Sequence, residues 1–480
     1  MQVPSADQPS VSLAGLGWAE TLVLVGLLLA AAGESAAIWL HSTPIAVATI
    51  AGYGVAFALL AVYRLPLAFV ALVLALPLIT IETGFGDVQM TLSADKVALA
   101  AVVGVWLLRR LAAVRAALAR IPGVRWWLAF LAVVVVSGVY NGISVLQVWS
   151  LLGQIVYLGV FLLALDMLAT RSTRERTMQV AGLTAVVVGV LAVAEGLPLA
   201  WSASPGMYFK QGTMSDFYIP GSTIAHANFL GGYLVLLLPS LAAVSLTGNR
   251  RWKIGSLVGA VVIGLGLVWT RSVGAWAGLA TGTLLAVGLA FKGSLREVGR
   301  WGALGALVVL VVGTGVWRVK LQVASGAASF PIRRATYEIG LAALTERPVL
   351  GFGASGYGRQ SPRIERMLYG DKLGKFHTPG SPLSAHSSFI DIAVERGLVG
   401  LVVFAGLLAS ILAPGLRGSV REGDPTQRLL LLGVLAGLVA FVVQAFTENL
   451  FQYSKVAAMF WIMAAALVRL SEAAPERPAA

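Results

Sequence analysis

Apolar residues fill the chain from Leu16 to Leu467 in repeated runs of roughly 17–22 residues, separated by short polar connections. A helix of that length crosses a hydrocarbon core of about 30 Å while making all its backbone hydrogen bonds internally. About fourteen such runs are present, which predicts an all-α polytopic membrane protein. The pattern changes after the run Trp301 to Val316, because the next one begins near Gly397, roughly 80 residues later. Inside that interval, Tyr337 to Leu344 has helical amphipathic spacing and is stopped by Glu346-Arg347-Pro348, so a large, partly helical extracytoplasmic loop is expected. The chain then divides into N-terminal helices (1–200), central helices with an outer loop at 201–222 (201–317), the large loop (318–396), and C-terminal helices with a tail (397–480).

Composition supports that division. Of the 480 residues, 58% are hydrophobic and 12% charged, where soluble domains run near a quarter charged. The opening segment, Met1 to Ser10, lacks the basic region of a cleaved signal peptide, so the first run is expected to remain as a span. The net charge of +13 is spread as a topology signal rather than as a nucleic-acid-binding stripe. Alternate connections are basic, at Arg64, Arg109 to Arg125, Arg171 to Arg176, Arg250 to Lys253, Lys292 to Arg300 and Arg417 to Arg428. These should face the cytoplasm, which also puts both termini there. The large loop has ten Lys/Arg against four Asp/Glu between Arg318 and Lys375, a surplus that can draw an anionic ligand or anionic lipid headgroups. With no cysteine there are no disulfides or thiolate sites, and no metal-ligand cluster or cofactor motif occurs, so metal-independent chemistry without a cofactor is expected.

The strongest chemical signal is Ala385-His386-Ser387, followed nine residues on by Gly397-Leu-Val-Gly400. Counted along a helix, His386, Ile390, Ala393, Gly397 and Gly400 share a face that a neighbouring helix can approach closely. An ionisable residue on such a face is a candidate for function. Ala393, Gly397 and Gly400 are accordingly expected to serve helix packing. Arg333 and Arg334 offer paired guanidinium forks for phosphate oxygens. Arg271, in a very short connection, stands against the charge rule and can either reach a lipid phosphate or snorkel. Lys210 sits in a polar, aromatic outer loop just before His226-Ala-Asn228, a mixture suited to a carbohydrate or a polyisoprenyl headgroup. His377, in Lys375-Phe-His377-Thr-Pro379, is a weaker substrate contact than His386. The glycine-rich stretch Gly351 to Gly358 lacks the Lys-Ser/Thr of a nucleotide-binding loop, and Tyr357 removes a serine-nucleophile elbow around Ser355.

Together these features resemble the O-antigen ligase and polymerase superfamily. The ligase pattern His-[Asn/Ser/Gln]-x9-Gly-x-x-[Gly/Thr/Tyr] is matched by His386, Ser387, Gly397 and Gly400. Glu395-Arg-Gly-Leu-Val-Gly400, the stretch from Arg334 through Pro348-Val-Leu-Gly351-Phe-Gly353, and Asn228-Phe-Leu-Gly-Gly-Tyr233 are similar to further family signatures. Two departures are Ser272-Val273-Gly274 in place of a Ser-Arg-Gly stretch, with Arg271 two positions earlier, and His226 where proline is frequent.

The resemblance implies a GT-C-like membrane glycosyltransferase at the outer face of the inner membrane, with its active site on the periplasmic side. The donor would be an undecaprenyl-diphosphate-linked glycan and the acceptor a glycolipid or glycan, with membrane lipids as the surrounding partners. His386 and Arg334 would be catalytic, with Arg333, Arg334 and Arg271 on the diphosphate. Lys210, Asn228, Glu395 and His377 would contact acceptor or substrate. A ligase is the first reading, a polymerase the second and a lipid-linked saccharide transporter the third. Against the transporter, no internal repeat is visible, and Glu34 and Glu195 lie near predicted span ends rather than at the midplane.

Overall fold

In the computed structural model the described residues are 32–34, 43–85, 88–117, 121–196, 222–224, 226–247, 250–290, 324–370 and 382–472. Among them, nine helices are long and apolar enough to cross a membrane, with a tenth, shorter apolar helix at Val124–Tyr140. The chain is a multi-pass helical membrane protein. The runs expected before residue 32 and between 291 and 323 lie outside the described residues.

The helices belong to two compact units, one of residues 1–72 with 79–109, the other of residues 73–78 with 110–480. The first is built from α1 (Thr43–Ala75), a hairpin of β1 (Glu82–Phe85) and β2 (Val88–Ser93), and the start of α2 (Ala94–Ala117). The expectation of a purely helical chain is corrected by this hairpin, whose second strand, Val-Gln-Met-Thr-Leu-Ser, has a period-two pattern. α1 is broken at Arg64, two residues before Pro66. Proline has no N–H for the carbonyl four residues back, and here the Arg109 guanidinium donates to that carbonyl, Val62 O, instead. Glu34 is closed by Tyr53 Oη at 3.0 Å and by the Thr80 N–H and hydroxyl, both at 2.6 Å.

The second unit contains α3 (Val124–Tyr140), α4 (Val145–Met167), α5 (Arg171–Gly196), α6 (Ala227–Thr247), α7 (Arg250–Thr270), α8 (Val273–Ala290), α9 (Ala324–Glu346), α10 (Gly356–Tyr369), α11 (Ser388–Arg421), α12 (Pro425–Gln444) and α13 (Ser454–Glu472). At its centre is α13, buried at every residue from Ser454 to Val468. Trp461 and Phe460 of α13 meet Trp127, Phe161, Phe441 and Phe451 in a continuous aromatic nest. Where α8 crosses α12, Gly278 and Gly282 lie so close to the Ala440 and Ala436 carbonyls that a Cβ would stand 2.2 and 2.1 Å away. This is small-residue packing of the kind that holds helices together where lipid offers no hydrophobic drive.

A smaller core joins α9, α10 and the start of α11. Ile339, Ala343, Phe352, Tyr357, Ile364, Ala385 and Val394 bury one another there, each large side chain contributing roughly 1.5–3 kcal/mol. The helix expected at Tyr337 to Leu344 is present within α9, which ends at Glu346 just before Pro348. Ala385, fully buried in this core, fixes the residue that follows it, His386.

Candidate functional site

His386 is not on a helix. It has φ +47°, a left-handed conformation that costs a non-glycine residue roughly 1–2 kcal/mol, and α11 starts only at Ser388. The helix itself is broken at Gly397 (φ +68°, ψ −175°). The face expected to run from His386 through Gly397 to Gly400 is therefore corrected, because the helical register extends through neither His386 nor Gly397.

Each residue of the His-Ser-Ser stretch has its own task. Ser387 caps α11, its hydroxyl accepting from the Ile390 N–H at 3.3 Å. Ser388 ties the helix start to the turn between α12 and α13: its N–H donates to the Ala445 carbonyl at 2.9 Å, and its hydroxyl donates to the Glu448 carbonyl at 3.1 Å. That turn delivers Glu448, whose side chain is only 3% exposed.

Glu448 gathers the cluster. One oxygen lies 3.2 Å from His386 Nδ1, and the other accepts from Asn228 Nδ2 at 2.6 Å and lies 3.7 Å from Arg333 Nη2. Arg333 also donates to the Thr447 carbonyl at 3.3 Å, while Gln444 Nε2 donates to the Asn228 carbonyl at 2.7 Å. Around the buried carboxylate, the His386 and Arg333 side chains are 30% and 31% exposed, so the cluster has a closed floor and an open rim.

Protonation states follow from these partners. Burial pushes the Glu448 carboxyl up, but the hydrogen bond from His386, the two neighbouring imidazoles and the Arg333 guanidinium outweigh it and hold the group below the usual carboxylate value. An ionised carboxylate can only accept, so the contact calls for a proton on His386 Nδ1, and in the neutral ring Nε2 is then the acceptor. His226, at the start of α6, is the opposite case. Burial pushes its imidazole down, against the opposing pull of Glu448, and its Nδ1 accepts from the Asn228 N–H at 3.1 Å. A neutral His226 with Nδ1 accepting carries its proton on Nε2. The cluster thus contains one imidazole ready to take a proton and a second that donates.

The other expected site residues are distributed as follows. Arg334, one residue from Arg333 and so about 100° round α9, is exposed and donates to Glu338 at 2.7 Å. Arg271 occupies a tight turn with φ +52°, where burial pushes its guanidinium down; the next residue, Ser272, lies 3.5 Å from Gln444, so this turn packs beside the cluster. Glu395 faces elsewhere, accepting from Arg396 at 2.5 Å, and Arg396 in turn donates to Ser150 at 2.6 Å. Ala393 and Gly400 are buried on α11, and Gly397 lies against Val349, where a Cβ would stand 2.0 Å from the carbonyl oxygen. Lys210 and His377 lie outside the described residues. Glu448 and His226 were not singled out as site residues. The only signal for Glu448 was an acidic residue in the short connection between two spans.

The strap Pro348 to Gly353 satisfies the helix break. Phe352 and Gly353 N–H groups donate to the Val394 and Glu395 carbonyls, both at 2.8 Å, and the Leu398 N–H donates to Pro348 at 2.7 Å. Gly351, at φ +65°, lets the strap approach: a Cβ there would lie 2.4 Å from the Val394 oxygen. Pro348 to Gly353 and His386 to Gly400 are thus two halves of one construction, which carries the helix start next to Glu448.

Residues 258–405, which include Arg271, Arg333, Arg334, His386 and the broken helix, match the family model described as O-antigen ligase. This match supports the O-antigen ligase and polymerase superfamily for the chain. That family is membrane glycosyltransferase-like, which supports an enzyme at the family level. Three members of the cluster, His226, Asn228 and Glu448, lie outside the matched O-antigen ligase segment, the first two at the start of α6 and the third in the α12–α13 turn. No curated protein matches the chain.

Proposed function

We propose that the chain is an O-antigen ligase-like transferase moving a glycan from undecaprenyl diphosphate to an acceptor hydroxyl on a lipid A-core or other surface acceptor. The reaction would take place at the outer face of the inner membrane, in a bundle of about fourteen spans with both termini cytoplasmic. The observation that carries this reading is the buried, ionised Glu448, which orients His386 Nδ1 while Arg333 stands on its other oxygen.

In this mechanism the acceptor O–H hydrogen-bonds to His386 Nε2. Its oxygen attacks the anomeric carbon, the anomeric C–O bond to the diphosphate breaks, and the diphosphate leaves with the electron pair. The acceptor proton passes to His386, and Glu448 stabilises the imidazolium that forms. The sugar is already activated by its diphosphate, so the work left to the protein is positioning and neutralising charge on the leaving group. Arg333 supplies that charge at the cluster, with Arg271 beside it and Arg334 on the outer rim of α9. Asn228 holds Glu448, and the Nε2–H of His226 is a further donor. Lys210 and His377 are retained as contacts to the glycan, and Glu395 as the brace of the helix break rather than an acceptor contact.

A polymerase, extending the lipid-linked glycan itself, would use the same donor chemistry. The test is reconstitution with the native lipid-linked glycan and analysis of product size. A single transfer to a separate acceptor, abolished in His386→Ala, supports the ligase; a ladder of lengthening lipid-linked chains supports the polymerase. Saccharide movement across the bilayer without transfer, retained in His386→Ala, would contradict both.

A further inference from the structure

A second cationic feature stands apart from the Glu448 cluster. Beside the strap is a cleft of about 490 Å³ lined by Asn141, Glu346, Arg347, Phe352, Arg359 and Arg363, among others. Its volume falls within the range of small-ligand sites, about 300–1,000 Å³. Arg359 and Arg363 are one turn apart on α10 and share a face. Arg347 donates to Asn141 Oδ1 at 2.5 Å and lies 4.8 Å from the centroid of the Phe352 ring, while Arg359 donates to the Phe352 carbonyl at 2.9 Å. These partners are neutral, so they orient the two guanidinium groups without cancelling their charge. Among the described residues, Arg363 alone of the three is paired with a carboxylate, Glu346 at 2.5 Å. Three cations therefore face one anion across a cleft whose floor is pinned to α11 by the strap. Such like charges repel one another, and an oxyanion between them relieves that repulsion through bidentate hydrogen bonds. Arg333 and Glu346 are thirteen residues apart on α9, so the cleft lies about 20 Å along that helix from the Glu448 cluster.

We propose that this cleft binds an acidic sugar, a saccharide unit bearing a phosphate or carboxylate, on the glycan handled at the Glu448 cluster. The guanidinium groups of Arg347 and Arg359 hold the acid, Asn141 braces Arg347, and the amide of Gln360 lines the cleft where the sugar hydroxyls would lie. The saccharide half of the proposal rests on the glycosyltransferase reading; the oxyanion half rests on the cleft alone.

The test is calorimetric titration of the full-length protein in phosphatidylcholine nanodiscs with glucose 6-phosphate, galacturonic acid, glucose and inorganic phosphate. Both acidic sugars should bind saturably, and glucose should not. Arg347→Gln and Arg359→Gln should each weaken binding about tenfold. Glu346→Gln, which removes the one opposing charge, should tighten it, and this gain keeps the test decisive if an arginine variant fails to fold. His386→Ala should bind as wild type does, which separates the cleft from the transfer site. The proposal is overturned if neither acid saturates, or if both arginine variants bind normally. Inorganic phosphate binding as tightly as glucose 6-phosphate would remove the saccharide. Loss of sugar binding in phosphatidylglycerol nanodiscs would make a lipid headgroup the occupant instead. Absence of transfer in the reconstituted system alongside intact acid binding would count against the transferase reading and leave the oxyanion site standing.

Discussion

Glu448 and Glu395 are carboxylates near opposite ends of the first segment of α11, and their surroundings differ in one respect. Glu448 is held by His386, Asn228 and Arg333, two of which are about 30% exposed, so its charge is passed to groups that solvent and substrate can reach. Glu395 is held by Arg396, itself only 5% exposed, and that guanidinium is finished off by Ser150. The first arrangement leaves the imidazole of His386 with one nitrogen unpaired among the described residues, at an open rim. The second closes on itself beside the helix break. Burial of a carboxylate is therefore a weak guide to chemistry; the exposure of its partners separates a site from a brace.

That contrast can be broken by substitution. The largest effect should come from His386→Ala, which removes the proton acceptor and should lower the transfer rate by about 10²–10⁴-fold, with the thermal midpoint nearly unchanged. At the brace the order should reverse. Arg396→Ala leaves a buried carboxylate unpaired and should cost about 3–5 kcal/mol of stability, read by denaturation in detergent, while the fraction that remains folded keeps its transfer rate. Replacing Glu395 and Arg396 together by Leu and Met should recover most of that loss, because a buried pair contributes little net stability over apolar packing.

The adjacent arginines sharpen the comparison further. Arg333→Ala should reduce kcat/KM for the lipid-linked donor by about tenfold or more, as expected for a charge-assisted contact worth roughly 1.5–3 kcal/mol. Arg334→Ala loses only an exposed, solvent-screened pair with Glu338 and should leave the thermal midpoint nearly unchanged. Equal losses in the two variants would show that both guanidinium groups reach the donor.

The smallest effect concerns pH. Burial pushes Glu448 up but its partners hold it below the usual carboxylate value, and burial pushes His226 down, so at both positions the unfolded chain binds protons more readily than the folded one. Stability from these groups is present at neutral pH. The His226 part is lost as pH falls below about 6.5, and the Glu448 part as pH falls through the carboxylate range. Thermal midpoints should decline over that interval with a shallower slope in His226→Gln; an unchanged slope would mean that His226 is not buried neutral.

Much of this was legible in the sequence for physical reasons. Runs long enough to cross a bilayer announce themselves, and so does a helix stopped by Glu346-Arg347-Pro348. His386 stood out because its neighbours Ser387, Gly397 and Gly400 follow a spaced pattern, although the reason for the spacing was different. Gly397 is there to break α11 against Val349, and Ser388 is there to tie the helix start to the α12–α13 turn. Glu448 was not legible, since it is 62 residues from His386 and meets it only through tertiary packing. The choice between Arg333 and Arg334 was not legible either. Adjacent residues on a helix point about 100° apart, and which one meets Glu448 depends on how α9 is rotated against the turn.

The central claim is that Glu448 sets the tautomer of His386 and stabilises its protonated form. Single-turnover transfer by Glu448→Gln tests it most directly, since glutamine preserves size and can still bond Asn228. The rate should fall by about 10²-fold or more, with donor KM changed little and the protein still folded. A Glu448→Gln protein that transfers glycan at the wild-type rate would contradict it.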